Sequence, residues 1–369
     1  MILKRRLQAF SPNIARSRSP AHILPMRCVV ARIVVVVRNK RLPGERGGVS
    51  VRCFIPSSFL FWRADGRALE LMADDDFDGL PMYVEEDQEE VEAEKQKRRQ
   101  QSRQPPPPRV TPEELARREF NRAMARKLIE YDPKLGDSYY TRVWFLDFTK
   151  VDIDEETQYG PMRYTDSIIR EGHELIDSLN MLCVKIISSD VGYPISLYGT
   201  VILRDSLDLK CNYIFRRDRD NCQHINSQGE SLILTGPSRG VVFRGNAFFE
   251  IDLKIREGRE CDDKQFNKAL IDVVGSQIRS VVQRETVDSW RSEVELIFAY
   301  VKKALEGTIE IKILSGPESF CGKITARTTD VSSHTLLYDS DVHGAITVGD
   351  DRVIQLLRRV VSVADITGA

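Results

Sequence analysis

Two short segments, Phe249 to Ile255 and Thr308 to Ile313, place an apolar side chain at every second position, with charged or hydroxyl groups between. A period of two fits a pleated strand with one face buried and the other wet, whereas a helical stripe recurs about every 3.6 residues. The same reading extends to Val143 to Phe148, Leu182 to Ile187, Ile195 to Leu203, Cys211 to Phe215 and Ser231 to Leu234. It also covers Gly322 to Thr328, His334 to Tyr338 and Val353 to Val363, and Gly236 to Gly240 reads as a turn. Many short strands without long helical patterns between them predict a mainly β chain, an antiparallel β-sandwich or barrel-like domain. Val294 to Leu305 is apolar on both parities and fits a central strand or a helix.

One amphipathic α-helix is expected ahead of the strands. Thr111 can accept from the N–H of Glu114, Glu114 can reach back, and Pro112 occupies a first-turn position where its missing N–H costs nothing. Phe120, Met124, Leu128 and Tyr131 then form one apolar stripe, and Pro133 and Gly136 read as its stop. The helix is therefore placed within 111–136, docked on a β-rich domain spanning 137–369.

Charge divides the chain. Residues 1–71 hold 14 Lys and Arg against 3 Asp and Glu, a net of +11, so the overall −1 leaves −12 for 72–369. An acidic body argues against nucleic-acid or anionic-membrane binding through it. The basic stretch reads as an organelle transit peptide or as an upstream extension ahead of a working start at Met72, and neither reading gives it a place in the fold. Residues 72–110 read as a disordered linker, with seven acidic residues of ten from Glu85 to Glu94 and then Pro105 to Pro108. The longest apolar run, Val29 to Val37, is too short to span a bilayer. Seven cysteines without a C-x-x-C pair fit a reducing compartment, cytoplasm or nucleus, with organelle import if residues 1–71 are a transit peptide.

Several motifs are longer than chance spacing allows: Tyr198 to Val201, Cys211 to Cys222, Leu234 to Pro237, Phe249 to Lys254, Val294 to Val301 and Gly322 to Arg327. Through them the chain resembles, over roughly 140–363, the cereal-grass family called domain of unknown function 6598. The resemblance implies no reaction. Some members share a chain with a ribosome-inactivating RNA N-glycosidase domain, which implies a setting of stress or defence. Similar domains continue past the segment matching Ile354 to Val363 with a further apolar strand, so the domain is expected to be truncated at its C-terminus. The strand at Val353 to Val363 would then be an exposed edge open to self-association.

No catalytic set is visible. Glu114-Leu115-Ala116-Arg117 has the spacing of the glycosidase pair, yet that spacing is common on any solvated helix. His173-Glu174-Leu175-Ile176-Asp177 begins like a zinc-protease helix but ends in Asp where an imidazole is needed. Cys211, Cys222, His224 and Cys261 have the ligand types for zinc without a known spacing, and small core residues are the plainer reading. Asp218-Arg219-Asp220-Asn221 lacks the Gly and Glu of an EF-hand loop. Arg216, Arg217 and Arg219 form a fork that suits phosphate or carboxylate, set against self-neutralisation by Asp218 and Asp220 within a hairpin. No catalytic, cofactor or metal residue is therefore assigned. The reading is a non-enzymatic module that binds a protein partner in plant stress or defence; the alternative is an accessory or regulatory domain beside a ribosome-inactivating glycosidase.

Overall fold

The computed structural model describes residues 33–39, 49–54, 110–161, 175–278, 280–314, 319–328 and 334–364. The stretch read as a linker lies outside them, apart from Val110. The chain is mainly β and its strand ladders are antiparallel.

The first two strands are β1 (Ile33–Asn39) and β2 (Val49–Phe54). Helix α1 (Pro112–Arg126) starts as expected, with the Thr111 hydroxyl accepting from Glu114 N at 3.2 Å. The box closes on one side only, because the Glu114 carboxylate takes Arg118 at 2.5 Å instead of turning back.

The helix is shorter than the sequence suggests. It ends at Arg126, and β3 (Ile129–Asp132) and β4 (Asp137–Tyr140) follow as a hairpin. Pro133 and Gly136 are its turn: Gly136 has φ of 71°, and the Asp132 carboxylate accepts from the N–H groups of Lys134 and Leu135. That carboxylate also takes the Ser289 hydroxyl and the Trp290 N–H, which pins the hairpin to the sandwich behind it. The docked stripe is not formed as expected either, since Ala125 is the one buried residue of α1 and Phe120 and Tyr131 are exposed. Val143 to Phe148 is not a strand. The Val143 N–H goes to the Glu250 carboxylate, and Val143 and Leu146 pack on Phe248.

The sandwich begins with β5 (Ser178–Ser189), β6 (Ile195–Arg204), β7 (Asn212–Arg217) and β8 (Gln223–Ile225). It is completed by β9 (Asn246–Ile255), β10 (Lys264–Val274), β11 (Val282–Ser289) and β12 (Ser292–Val301). One sheet runs β10-β9-β6-β7, with β8 also on β6, and the other runs β11-β12-β5. Their inner faces share one core, in which Leu197, Val201, Phe249, Ile251 and Leu253 meet Val184, Ile186, Leu296 and Phe298. The Phe249 and Phe298 rings bridge the sheets at 5.5 Å between centroids.

Val294 to Leu305 resolves as the strand β12, a two-residue turn and the start of β13. Its double parity has a simple cause. Val294, Leu296 and Phe298 face the main core, while Ile297, Ala299 and Val301 pack with Leu182 and Ala304 on the opposite side. Ser231 to Leu234 runs extended beside β5 without becoming a regular strand; Leu232 N donates to Val184 O, and Ile233 N to the Gln223 side chain.

A second region of two sheets and a short two-stranded ladder follows, from β13 (Ala304–Ile313), β14 (Ser319–Phe320), β15 (Gly322–Thr328) and β16 (Thr335–Asp339). The short helix α2 (Ser340–His343), β17 (Ile346–Thr347), β18 (Val353–Ile354) and β19 (Val360–Ala364) complete it. Val353 to Val363 is thus two strands, not one. Both lie on the same side of β13, with extra residues bulging out between the pairs Thr308↔Val360 and Ile311↔Ile354. Val360, Val361 and Val363 are buried.

The N-terminal stretch does have a place in this fold. β1 pairs along the whole of β15, and β2 pairs with Thr308 to Ile313 on the side of β13 away from β18 and β19. The valine run that makes a poor amphipathic helix makes a good strand, because β-branched side chains suit a pleated surface.

Candidate functional site

The motif from Cys211 to Cys222 forms β7 and the 3₁₀ turn after it, and it borders a cleft of about 410 Å³. Tyr213, Arg216, Arg217 and Asn221 come from this motif; Thr235 and Ser238 come from the loop that crosses it; Glu156 and Leu357 close the rim. The crossing is close. A Cβ on Gly236 would overlap the Tyr213 carbonyl oxygen, so only glycine lets the loop lie on β7. Gly199 in β6 has the same role against the Asp252 carbonyl, at a φ of 118°. Two glycines therefore set the spacing between backbones.

The arginine fork does not neutralise itself inside a hairpin. Arg219 reaches Asp263 at 2.8 Å and the Glu257 carbonyl at 2.9 Å. That bond, with others from the Glu257 N–H and the Tyr198 hydroxyl, holds the Asp263 carboxyl well below the usual carboxylate range. Burial and the same contact push the Tyr198 phenol up to about 12. Arg216 leaves the strand on its exposed side, where its guanidinium lies 4.5 Å from the Tyr213 ring centroid and 3.3 Å from the Glu156 carboxylate. Burial raises the pKa of the Tyr213 phenol. Arg217 is turned inward, with Nη1 donating to the carbonyl and the side-chain oxygen of Asn221, and burial lowers its pKa. The cleft thus offers an exposed planar cation on an aromatic ring, a second guanidinium at its base, and the exposed Leu357 on its rim.

The remaining sequence candidates do not converge. Glu114 pairs with Arg118 and Arg117 with Asp147, so the helical Glu and Arg serve different partners. His173 and Glu174 lie outside the described residues. Asp177 accepts from the Tyr300 hydroxyl and from Lys303 N. Cys211 is buried beside Arg204, Cys222 faces Arg256, Cys261 lies exposed beside Asp262, and the His224 ring bonds the Ser196 hydroxyl at 2.9 Å. Among the described residues no group of three or more His, Cys, Asp or Glu side chains is placed to hold a metal ion. Among them too, no helix is long and apolar enough to cross a membrane.

Two buried ion clusters escaped sequence reasoning. Arg204, fully buried, pairs with Glu250 at 2.7 Å, and the same carboxylate binds Arg142 at 3.0 Å. Arg239, buried in the stretch read as a turn, takes Asp205 in a two-pronged contact and reaches Asp208 at 3.2 Å. Nothing in local spacing announces them. They fasten the segment before the sandwich and the loop over β7 to the sheet beneath.

Facing antiparallel sheets, with a cationic cleft over one of them, define a β-sandwich protein with a surface recess. A family model described as Domain of unknown function (DUF6598) matches residues 178–367, and the chain belongs to that family. No curated protein and no solved structure matches it.

Proposed function

We propose that the chain is a non-enzymatic protein-interaction module whose cleft over β7 takes an acidic segment of its partner. The observation that supports this is the exposed Arg216 guanidinium, held over the Tyr213 ring and paired at 3.3 Å with a surface carboxylate, Glu156. Ion pairs between exposed side chains contribute little, so a partner carboxylate replaces Glu156 at small cost. A guanidinium of fixed orientation receives a carboxylate through two parallel bonds, and Leu357 adds an apolar contact beside the charge. The body is acidic elsewhere, which guides an acidic partner to this recess and away from the rest of the surface. The resemblance to cereal-grass proteins supports a plant stress or defence setting, and the free cysteines support cytoplasm or nucleus as its workplace.

Fluorescence anisotropy with a labelled peptide of alternating Glu and Leu tests the cleft. Binding that weakens about tenfold in Arg216→Ala and declines with added salt supports it; equal binding by the variant removes it. Incubation with ribosomes should release no adenine. Depurination that disappears in Glu114→Ala would restore the glycosidase reading of the helix.

A further inference from the structure

Cations outnumber carboxylates in the cleft over β7, where Arg216 and Arg217 face the single acidic side chain of Glu156. Neutral donors line it too. The Thr235 hydroxyl oxygen accepts the Arg216 N–H at 3.0 Å, and its own proton goes to no acceptor among the described residues. The loop that carries Thr235 is fixed in place, because Thr235 N and Gly236 N both donate to the Ile214 carbonyl, at 3.0 and 3.1 Å. Asn221 gives its side-chain oxygen to Arg217 Nη1 at 3.3 Å, which leaves its amide N–H groups as further donors. Arg217 is 7% exposed, so an anion that reaches it sits in surroundings of low dielectric, where a charge-assisted bond is stronger than in water.

Glu156 decides which anion gains most by entering. Its backbone is tied down through the bridge to Cys211 and the Thr157 N–H on the Cys211 carbonyl at 3.0 Å, so its side chain alone turns away from Arg216. A partner carboxylate that replaces it exchanges one single charge for another. A phosphate monoester brings about −1.5 to −2 charges at pH 7 and three strong acceptor oxygens. The exchange then gains charge. A carboxylate that meets the Arg216 fork through two parallel bonds has both oxygens engaged there. The oxygens of a phosphoryl group diverge, so one or two serve Arg216 while another takes the Thr235 hydroxyl or a donor at the cleft floor.

We infer that the segment taken by this cleft is phosphorylated, with its phosphoryl group seated among Arg216, Thr235 and Arg217. This rests on the reading of the cleft as the site for an acidic partner, and adds the chemistry that selects the partner.

Fluorescence anisotropy on the full-length chain tests it, with labelled peptides of alternating Glu and Leu that differ only at one central position, phosphoserine, Glu or Ser. The phosphoserine peptide is expected to bind about tenfold or more tightly than the Glu peptide, and Arg216→Ala to weaken both. Thr235→Val should weaken the phosphoserine peptide several-fold more than the Glu peptide, and Thr235→Ser, which keeps the hydroxyl, should preserve the preference. A preference that survives Thr235→Val undiminished overturns the seat assigned to the phosphoryl group. Inorganic phosphate should displace the label far less well than the unlabelled phosphoserine peptide at the same concentration; equal displacement makes the site one for free phosphate and overturns the inference. Equal binding of the phosphoserine and Glu peptides overturns it as well, while the acidic-partner reading stands. No binding of any of the three removes that reading and the inference with it.

Discussion

The sandwich of β5 to β12 draws all its strands from residues 178–301, whereas the sheets around β13 and β15 are closed by strands taken from residues 33–54. The two regions also treat buried charge differently. In the sandwich, the buried guanidinium groups of Arg204 and Arg239 each meet a carboxylate, Glu250 and Asp205. In the second region Arg358 is fully buried, yet its hydrogen bonds go to the Asn180 side chain at 3.2 Å and the Val360 carbonyl at 3.4 Å, and its Nη1 has no partner among the described residues. Burial alone pushes its pKa down to about 9. The contrast teaches where stability resides: one region is complete in its own sequence and meets Arg204 and Arg239 with carboxylates, the other borrows strands and holds Arg358 against uncharged partners.

Removing the match should have the largest effect. Glu250→Ala leaves Arg204 buried without its carboxylate and frees the Val143 N–H and Arg142 together. Breaking a buried pair from one side costs about 3–5 kcal/mol, which a shift of the urea midpoint measures; a loss below about 1 kcal/mol would mean that water reaches the pair. The opposite sign is expected at Arg358. Arg358→Met keeps much of the volume and removes the unmatched charge, so stability should rise by about 1–4 kcal/mol. A loss on this substitution would show a counter-anion at the guanidinium and erase the electrical difference between the regions.

The strands were legible wherever one face is wet, because alternation records burial on a single side. Phe249 to Ile255 shows both the strength and the limit of that signal. Its apolar positions are all buried, but so is Glu250, which sits on the charged parity. Its partners Arg142 and Arg204 lie 108 and 46 residues away in sequence, so no local pattern reveals them. The helix misread has the same origin: Tyr131 continues a helical stripe by spacing, while the Asp132 carboxylate turns Pro133 to Gly136 into a hairpin through contacts with Ser289 and Trp290. The cleft was half legible. Arg216, Arg217 and Arg219 were visible as a group, but their separation onto Glu156, Asn221 and Asp263 depends on which side of β7 the first two leave and on the 3₁₀ turn that carries Arg219. Gly199 and Gly236 were the missed clue, since glycine within a strand or beside one marks a close backbone approach.

The smallest expected effect belongs to the sandwich surface, where charge is matched but not deeply buried. Asp263 accepts from Arg219, Tyr198 and the Glu257 N–H, and these bonds depress its pKa in the folded state. A depressed carboxyl contributes stability that is fully present above its unfolded value of about 3.9 and is lost as pH falls through the folded value. Asp263→Asn deletes that contribution. The gap in stability between wild type and variant should therefore be constant above about pH 5, narrow below about pH 4, and close at lower pH. Wild type will lose stability more steeply than the variant over that acid range in urea titrations at fixed pH. A gap that does not change with pH would assign the effect of Asp263 to hydrogen-bond geometry alone, and the surface of the sandwich would then differ from its interior in the kind of interaction as well as in its strength.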